Sequence, residues 1–160
     1  MKIFSTSLLF LVFLITGCST PTKDFNLVFT MESTDIYKLS IEINGNKSYR
    51  IQQENLFFDS HAKKERINRS EGELSNKEYK KLLQLISGSQ LFECDNTYGF
   101  NQNNNTNNDP LKGIIYHLNY TEGNKAKYIL IHPNPSNNYP SDFSLLIKFL
   151  SDFSSKRIKK

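Results

Sequence analysis

Tryptophan is absent from this 160-residue chain, and histidine and cysteine are scarce. The three histidines, His61, His117 and His132, do not fall at zinc-motif spacing. No serine stands in a nucleophile elbow, and no glycine-rich phosphate loop is present. Basic residues form no stripe interleaved with aromatics, so nucleic acid is not an expected partner. No internal repeat is evident. No apolar run reaches the roughly 20 residues that a membrane-spanning helix needs. Phenylalanine and tyrosine, by contrast, are plentiful, which suits half-buried strands.

The strongest apolar run lies near the start, in "LLFLVFLITGCST", residues 8–20. Lys2 is the only charge before it, and the small residues Thr16 and Gly17 follow its apolar part. A short basic segment, an apolar segment and a small-residue cut site together make a secretory signal peptide. A core helix beginning here would need a polar face, and the run has none. Ile15-Thr16-Gly17-Cys18 resembles the lipobox of bacterial lipoproteins. The resemblance implies a diacylglyceryl group on the Cys18 thiol, cleavage before Cys18, and acylation of the new amino group with palmitate-type chains. Two or three acyl chains hold a protein firmly, where one gives only marginal binding. Membrane lipid, reached through acylated Cys18, is thus the first expected partner. Ser19 stands where enteric lipoproteins retained at the inner membrane carry aspartate, which implies the outer membrane, periplasmic side.

On this reading the chain divides into a signal peptide (1–17), a lipidated tether (18–24), one domain (25–155) and a basic tail (156–160). With Cys18 lipidated, Cys94 stands alone and no disulfide forms within the chain. Cys94, in "LFECDN", then reads as a small buried hydrophobe in preference to a reactive thiol. The tail "SSKRIKK" reads as a solvated charge cluster; leaning on anionic headgroups is the alternative.

Strand patterning comes first in the domain. "FNLVFTM" has strand composition, and "IYKLSIEI" alternates strictly, with Tyr37, Leu39, Ile41 and Ile43 on one face. Asn44-Gly45-Asn46 predicts a hairpin turn into "KSYRIQQ", with Tyr49 and Ile51 inward. "NLFFD" is a candidate short strand, and "SHAKKERINRSEG" reads as a charged loop. Ser75 and Glu78 form a capping box for a helix whose stripe is Tyr79, Leu82, Leu83 and Ile86, with Gly88 as its stop. "SQLFECD" is expected to close onto the sheet through Leu91 and Phe92. "NTYGFNQNNNTNNDP" reads as a surface loop. A second hairpin turns at Gly123-Asn124, and Ser141 is expected to cap a last helix with the stripe Phe143, Leu146, Ile147 and Leu150. The expected fold is α+β: an antiparallel sheet of about five to six strands with two helices packed on one face.

Chemistry is harder to place. His117 and His132 lie on the arms of one hairpin, but folding about Gly123-Asn124 sets position 117 opposite about 130, so the two are at best diagonal. Asp24 with Glu32, and Glu93 with Asp95, are carboxylate pairs that read as solvated charges. "HPNPSNNYPSD" reads as a linker with Tyr139 exposed. The second half, "LSNKEYKKLLQLI…LF…DNTYG…GIIYHLNY…YILIHPN…P…FSLLIKFL", is similar to small lipoproteins of Gram-negative bacteria; that likeness implies no activity and brings no site residue with it. The expected function is a membrane-anchored, non-enzymatic binding or accessory module facing the periplasm, with no cofactor and no catalytic residue. A protein partner in the envelope fits this reading, in its specific form an envelope-targeting toxin met by an immunity protein. The alternatives are an envelope hydrolase built around His117, His132 and carboxylates, and a structural lipoprotein of an envelope assembly.

Overall fold

Alternation of apolar and polar side chains builds one sheet with a dry face and a wet face. A computed structural model describes residues 24–33, 37–55, 67–99, 114–132 and 139–158. The signal peptide, Cys18 and its tether, His61, residues 56–66, the Asn-rich segment from residue 100 and the linker 133–138 lie outside the described residues. The elements run β1 (Phe25–Ser33), β2 (Tyr37–Asn44), β3 (Ser48–Asn55), β4 (Ile67–Glu73), α1 (Asn76–Ser89), a 3₁₀ turn (Leu91–Glu93), β5 (Thr97–Tyr98), β6 (Ile114–Glu122), β7 (Lys125–Ile131) and α2 (Ser141–Arg157).

Strand order in the sheet is β4-β3-β2-β1-β6-β7-β5. All pairings are antiparallel except β5 with β7, which is parallel. The first strand therefore sits in the middle, flanked by β2 and by β6. Phe25, Leu27, Phe29 and Met31 of β1 point to the same side as Leu39, Ile41 and Ile43 of β2, Tyr49 and Ile51 of β3, Leu118 and Tyr120 of β6, and Ile129 and Ile131 of β7. Both helices cover that side with Leu82, Leu85 and Ile86 of α1 and Phe143, Leu146, Leu150 and Phe153 of α2. Truncating a fully buried member such as Phe143 to alanine is expected to cost about 3–5 kcal/mol.

Several expectations are corrected. The fold is α+β with two helices on one face, but among the described residues the sheet has seven strands and is mixed. Residues 67–72, the end of the expected charged loop, form β4 together with Glu73. Its residues are exposed or half-exposed on both sides, so no apolar alternation marks it. Thr97–Tyr98, in the expected surface loop, is β5; it is held by backbone bonds from Leu130 N to Asn96 O and from His132 N to Tyr98 O, both 2.9 Å. Gly88 does not stop α1. The helix ends at Ser89, and Gln90 takes the left-handed conformation, φ 46°. What Gly88 provides is room: a Cβ there would collide with Oδ2 of Asp142. Leu85, outside the expected stripe, is buried, while Tyr79 and Leu83 pack half-buried at its rim. Pro140, not Ser141, occupies the cap position of α2, with no side-chain cap bond.

Tyr139 is half-buried, not exposed; its ring meets Tyr98 and Phe143, and its hydroxyl donates to His132 O at 3.3 Å. In the 3₁₀ turn Leu91 is buried, whereas Phe92 stays 36% exposed, its ring against Tyr120. α2 continues through Arg157, which takes the start of the expected basic tail into the fold. The capping box at Ser75 and Glu78 forms as expected, and Gly123 turns the second hairpin with φ 55°, a conformation that costs glycine little. Among the described residues no helix is long and apolar enough to cross a membrane.

Candidate functional site

Among the described residues the helices cover one side of the sheet only, and the side chains of the other side line up in cross-strand rows, with Thr30 buried among them. One row runs Glu71, Arg50, Glu42, Val28, Asn119, Tyr128 from the β4 edge to β7. The next runs Arg69, Gln52, Ser40, Thr30, His117, Leu130, and a third runs Ile67, Glu54, Lys38, Glu32, Ile115. Directly opposed side chains are close enough to interact, so the rows can be read as contacts.

Two halves result. Toward β4 the surface is an ionic ladder of alternating sign. Arg50 donates from Nε to Glu71 at 2.8 Å and lies 4.0 Å from Glu42, while Lys38 is 3.7 Å from Glu32. Asn26 donates to both Glu42 and Asn44, at 2.8 and 2.9 Å. These pairs are solvated and individually weak, but they hold the side chains in place. Toward β7 charge gives way to Val28, Thr30, Ile115, His117, Tyr128 and Leu130. A 2.6 Å hydrogen bond joins His117 Nδ1 and the Tyr128 hydroxyl, and Tyr128 is 51% exposed, the most exposed large apolar side chain described. Partial burial lowers the pKa of His117 against the opposing pull of Glu32. His132 is lowered as well, by burial first and then by His117. Both imidazoles are therefore neutral at pH 7.

The expected site residues fare differently. His117 is opposite Leu130, as the hairpin geometry predicts, and His132 lies one step diagonally beyond on the same face. Asp24 and Glu32 are separated by the length of β1, about 3.3 Å per residue, and do not meet. Asp24 O accepts from Gly123 N, while Glu32 pairs with Lys38. Glu93 and Asp95 line a different feature, a cleft of about 360 Å³ bounded also by Gly88, Ser89, Gln90, Cys94, Tyr98 and Pro140. Cys94 is buried beside it, its thiol 3.4 Å from Ser89 O. Burial pushes the Cys94 thiol up, and Tyr98 is pushed up to about 12 by burial and by Cys94. Cys94 packs as a member of the core cluster. Among the described residues no three His, Cys, Asp or Glu side chains form a group that could hold a metal ion.

Tyr128 and the Arg50 ladder were not singled out by sequence reasoning. Tyr128 was findable, since the turn at Gly123-Asn124 pairs it with Asn119 beside His117. The ladder was not, because Glu71 lies on a strand with no patterning of its own. No protein-family model matches this chain, and no curated protein matches it.

Proposed function

We propose that the chain is a membrane-anchored lipoprotein whose domain is a non-enzymatic binding module, gripping a protein partner with the open face of its sheet. The observation that carries the reading is the exposed Tyr128, braced by His117 and rimmed by apolar side chains on one half of a face whose other half is an ordered ladder. A rigid aromatic anchor with a polar rim is how protein interfaces concentrate affinity. The chemistry of the face points to protein over polyanion: Glu32, Glu42, Glu54, Glu71 and Glu73 outnumber Lys38, Arg50 and Arg69 on it. That balance would repel nucleic acid and anionic headgroups alike. The anchor reading is supported by Ile15-Thr16-Gly17-Cys18 after an apolar run. In its specific form the partner is an envelope-targeting toxin and the chain its immunity protein, a role that needs an ordered surface and no chemistry.

The test has two arms on the full chain. Metabolic palmitate labelling and membrane fractionation compare the natural chain with Cys18→Ser; label on the former alone supports the anchor, and label on neither sinks it. A photo-crosslinking phenylalanine at position 128 is compared with the same group at Lys80, exposed on α1. A discrete crosslinked protein from position 128 and none from position 80 supports the face. Equal capture from both, or none from either, removes it.

A further inference from the structure

We propose that the β4 edge is a self-pairing surface, through which two copies of this chain join antiparallel about a two-fold axis at Ser70. The inference goes beyond the binding reading and does not depend on it.

Among the described residues β4 ends the sheet, so one side of its backbone has no neighbouring strand in the sheet order. An edge of this kind is a template for another strand. Its seven residues, INRSEGE, are exposed or half-exposed throughout, with Ser70 half-buried and the Tyr49 ring lying over Gly72 on the helix-facing side. Arg69, Glu71 and Glu73 line the open face. Charges on an edge ordinarily discourage pairing, and here they discourage the registers centred on Arg69, Glu71, Gly72 and Glu73.

A two-fold axis perpendicular to the sheet must place some residue opposite itself, because side-chain faces are preserved across antiparallel pairs. Centring on Arg69 opposes two arginines. Centring on Glu71 opposes two glutamates, and centring on Gly72 sets Glu71 against Glu73. Centring on Ser70 instead sets Arg69 against Glu71 of the second copy, twice by symmetry, with Asn68 against Gly72, Ile67 against Glu73, and serine against serine. Opposite charges directly across a pair stabilise it and like charges destabilise it. Centring on Asn68 sets Arg69 against Ile67 and gains no ion pair, so the Ser70 register is the one these charges favour.

That register also continues the ladder already present. Arg50 is bonded to Glu71 at 2.8 Å and approaches Glu42. Adding the second copy's Arg69 beside Glu71 extends the alternation by one more cation, and the same holds in reverse. Among the described residues Arg69 makes no ion pair of its own. The second copy supplies one.

Register-specific crosslinking in the full chain carrying Cys18→Ser tests this, since Cys94 is buried. Opposed residues of an antiparallel pair have Cα atoms about 4.5–5.5 Å apart, within the range of about 4.4–6.8 Å that a disulfide spans. Ser70→Cys is expected to form a disulfide dimer about tenfold faster or more than Asn68→Cys or Gln90→Cys, because pairing raises its effective concentration. Charge reversal gives an independent check by sedimentation equilibrium. Arg69→Glu and Glu71→Arg should each be monomeric alone, and their mixture should recover a heterodimer. A natural chain that stays monomeric up to millimolar concentration, Ser70→Cys crosslinking no faster than the controls, or a mixture that fails to associate would each overturn the proposal.

Discussion

Arg157, in the last turn of α2, donates from Nη2 to Oε1 of Glu78, in the first turn of α1, at 2.7 Å. The same guanidinium donates to the Tyr49 hydroxyl at 3.0 Å and lies 4.5 Å from the Phe153 ring centroid. One cation thus ties the end of one helix to the start of the other and to the sheet. Glu78 meanwhile closes the capping box on Ser75, whose backbone N–H it accepts at 2.8 Å.

Arg157→Ala is therefore expected to destabilise the domain by about 1–2 kcal/mol, combining a half-buried ion pair with two ring contacts. Lys156→Ala, an exposed neighbour, should change stability by less than about 0.5 kcal/mol. Urea unfolding of the two variants checks the contrast. Equal effects would show that the junction contributes nothing beyond surface charge.

The junction also predicts an acid limb. Burial alone would raise the Glu78 carboxyl, but the Ser75 hydroxyl, the Ser75 backbone and Arg157 outweigh it and hold the pKa below its ordinary 4.5. A carboxyl depressed in the folded state binds fewer protons there than in the unfolded chain. Its contribution is present above about pH 4.5 and is lost as pH falls through the lower folded value. Glu78→Gln should flatten the fall in stability between about pH 5 and pH 3, measured by urea unfolding at each pH. Parallel curves for the two proteins would contradict this.

Gly88 gives a prediction about space. Alanine is the better helix former by about 1 kcal/mol, yet a Cβ at 88 would collide with Oδ2 of Asp142 and stand 3.3 Å from its Cβ. Gly88→Ala should be destabilising by about 1 kcal/mol in the natural chain and should become neutral or stabilising in an Asp142→Gly background. A double-mutant cycle on thermal unfolding reads the coupling. Additivity would mean that Asp142 simply swings clear.

The two histidines make a titration prediction. Burial lowers both, so the folded state binds fewer protons than the unfolded chain between the folded values and about pH 6.5. Stability should therefore fall as pH drops below about 6.5. Imidazole resonances followed by NMR should give midpoints for His117 and His132 below the ordinary 6.5. His117→Gln removes the cation that disfavours a charge on His132, so the His132 midpoint should rise. An unmoved midpoint would show that the histidines do not sense each other.

The amino-acid sequence by itself determined the elements whose causes are local. Alternation in Leu39–Ile43 and in the Ile114–Ile131 hairpin set which side chains face the core. Turn chemistry at Asn44-Gly45-Asn46 and Gly123-Asn124 set the hairpins, and Ser75 with Glu78 set the start of α1. Hairpin arithmetic even put His117 opposite Leu130. Tertiary structure alone decided what depends on distant partners. β1 gained a central place because β6 pairs along its full length, a contact between residues about 90 positions apart that no local pattern encodes. β4 is a strand because β3 offers it an edge, and β5 because the Leu130 and His132 N–H groups donate two backbone bonds to its carbonyls. Gly88 acquired its role from Asp142, and Arg157 from Glu78 and Tyr49. The candidate face follows the same division. Its positions on each strand are written in the alternation, but the ladder and the Tyr128 anchor exist only because long-range pairing sets the strands side by side.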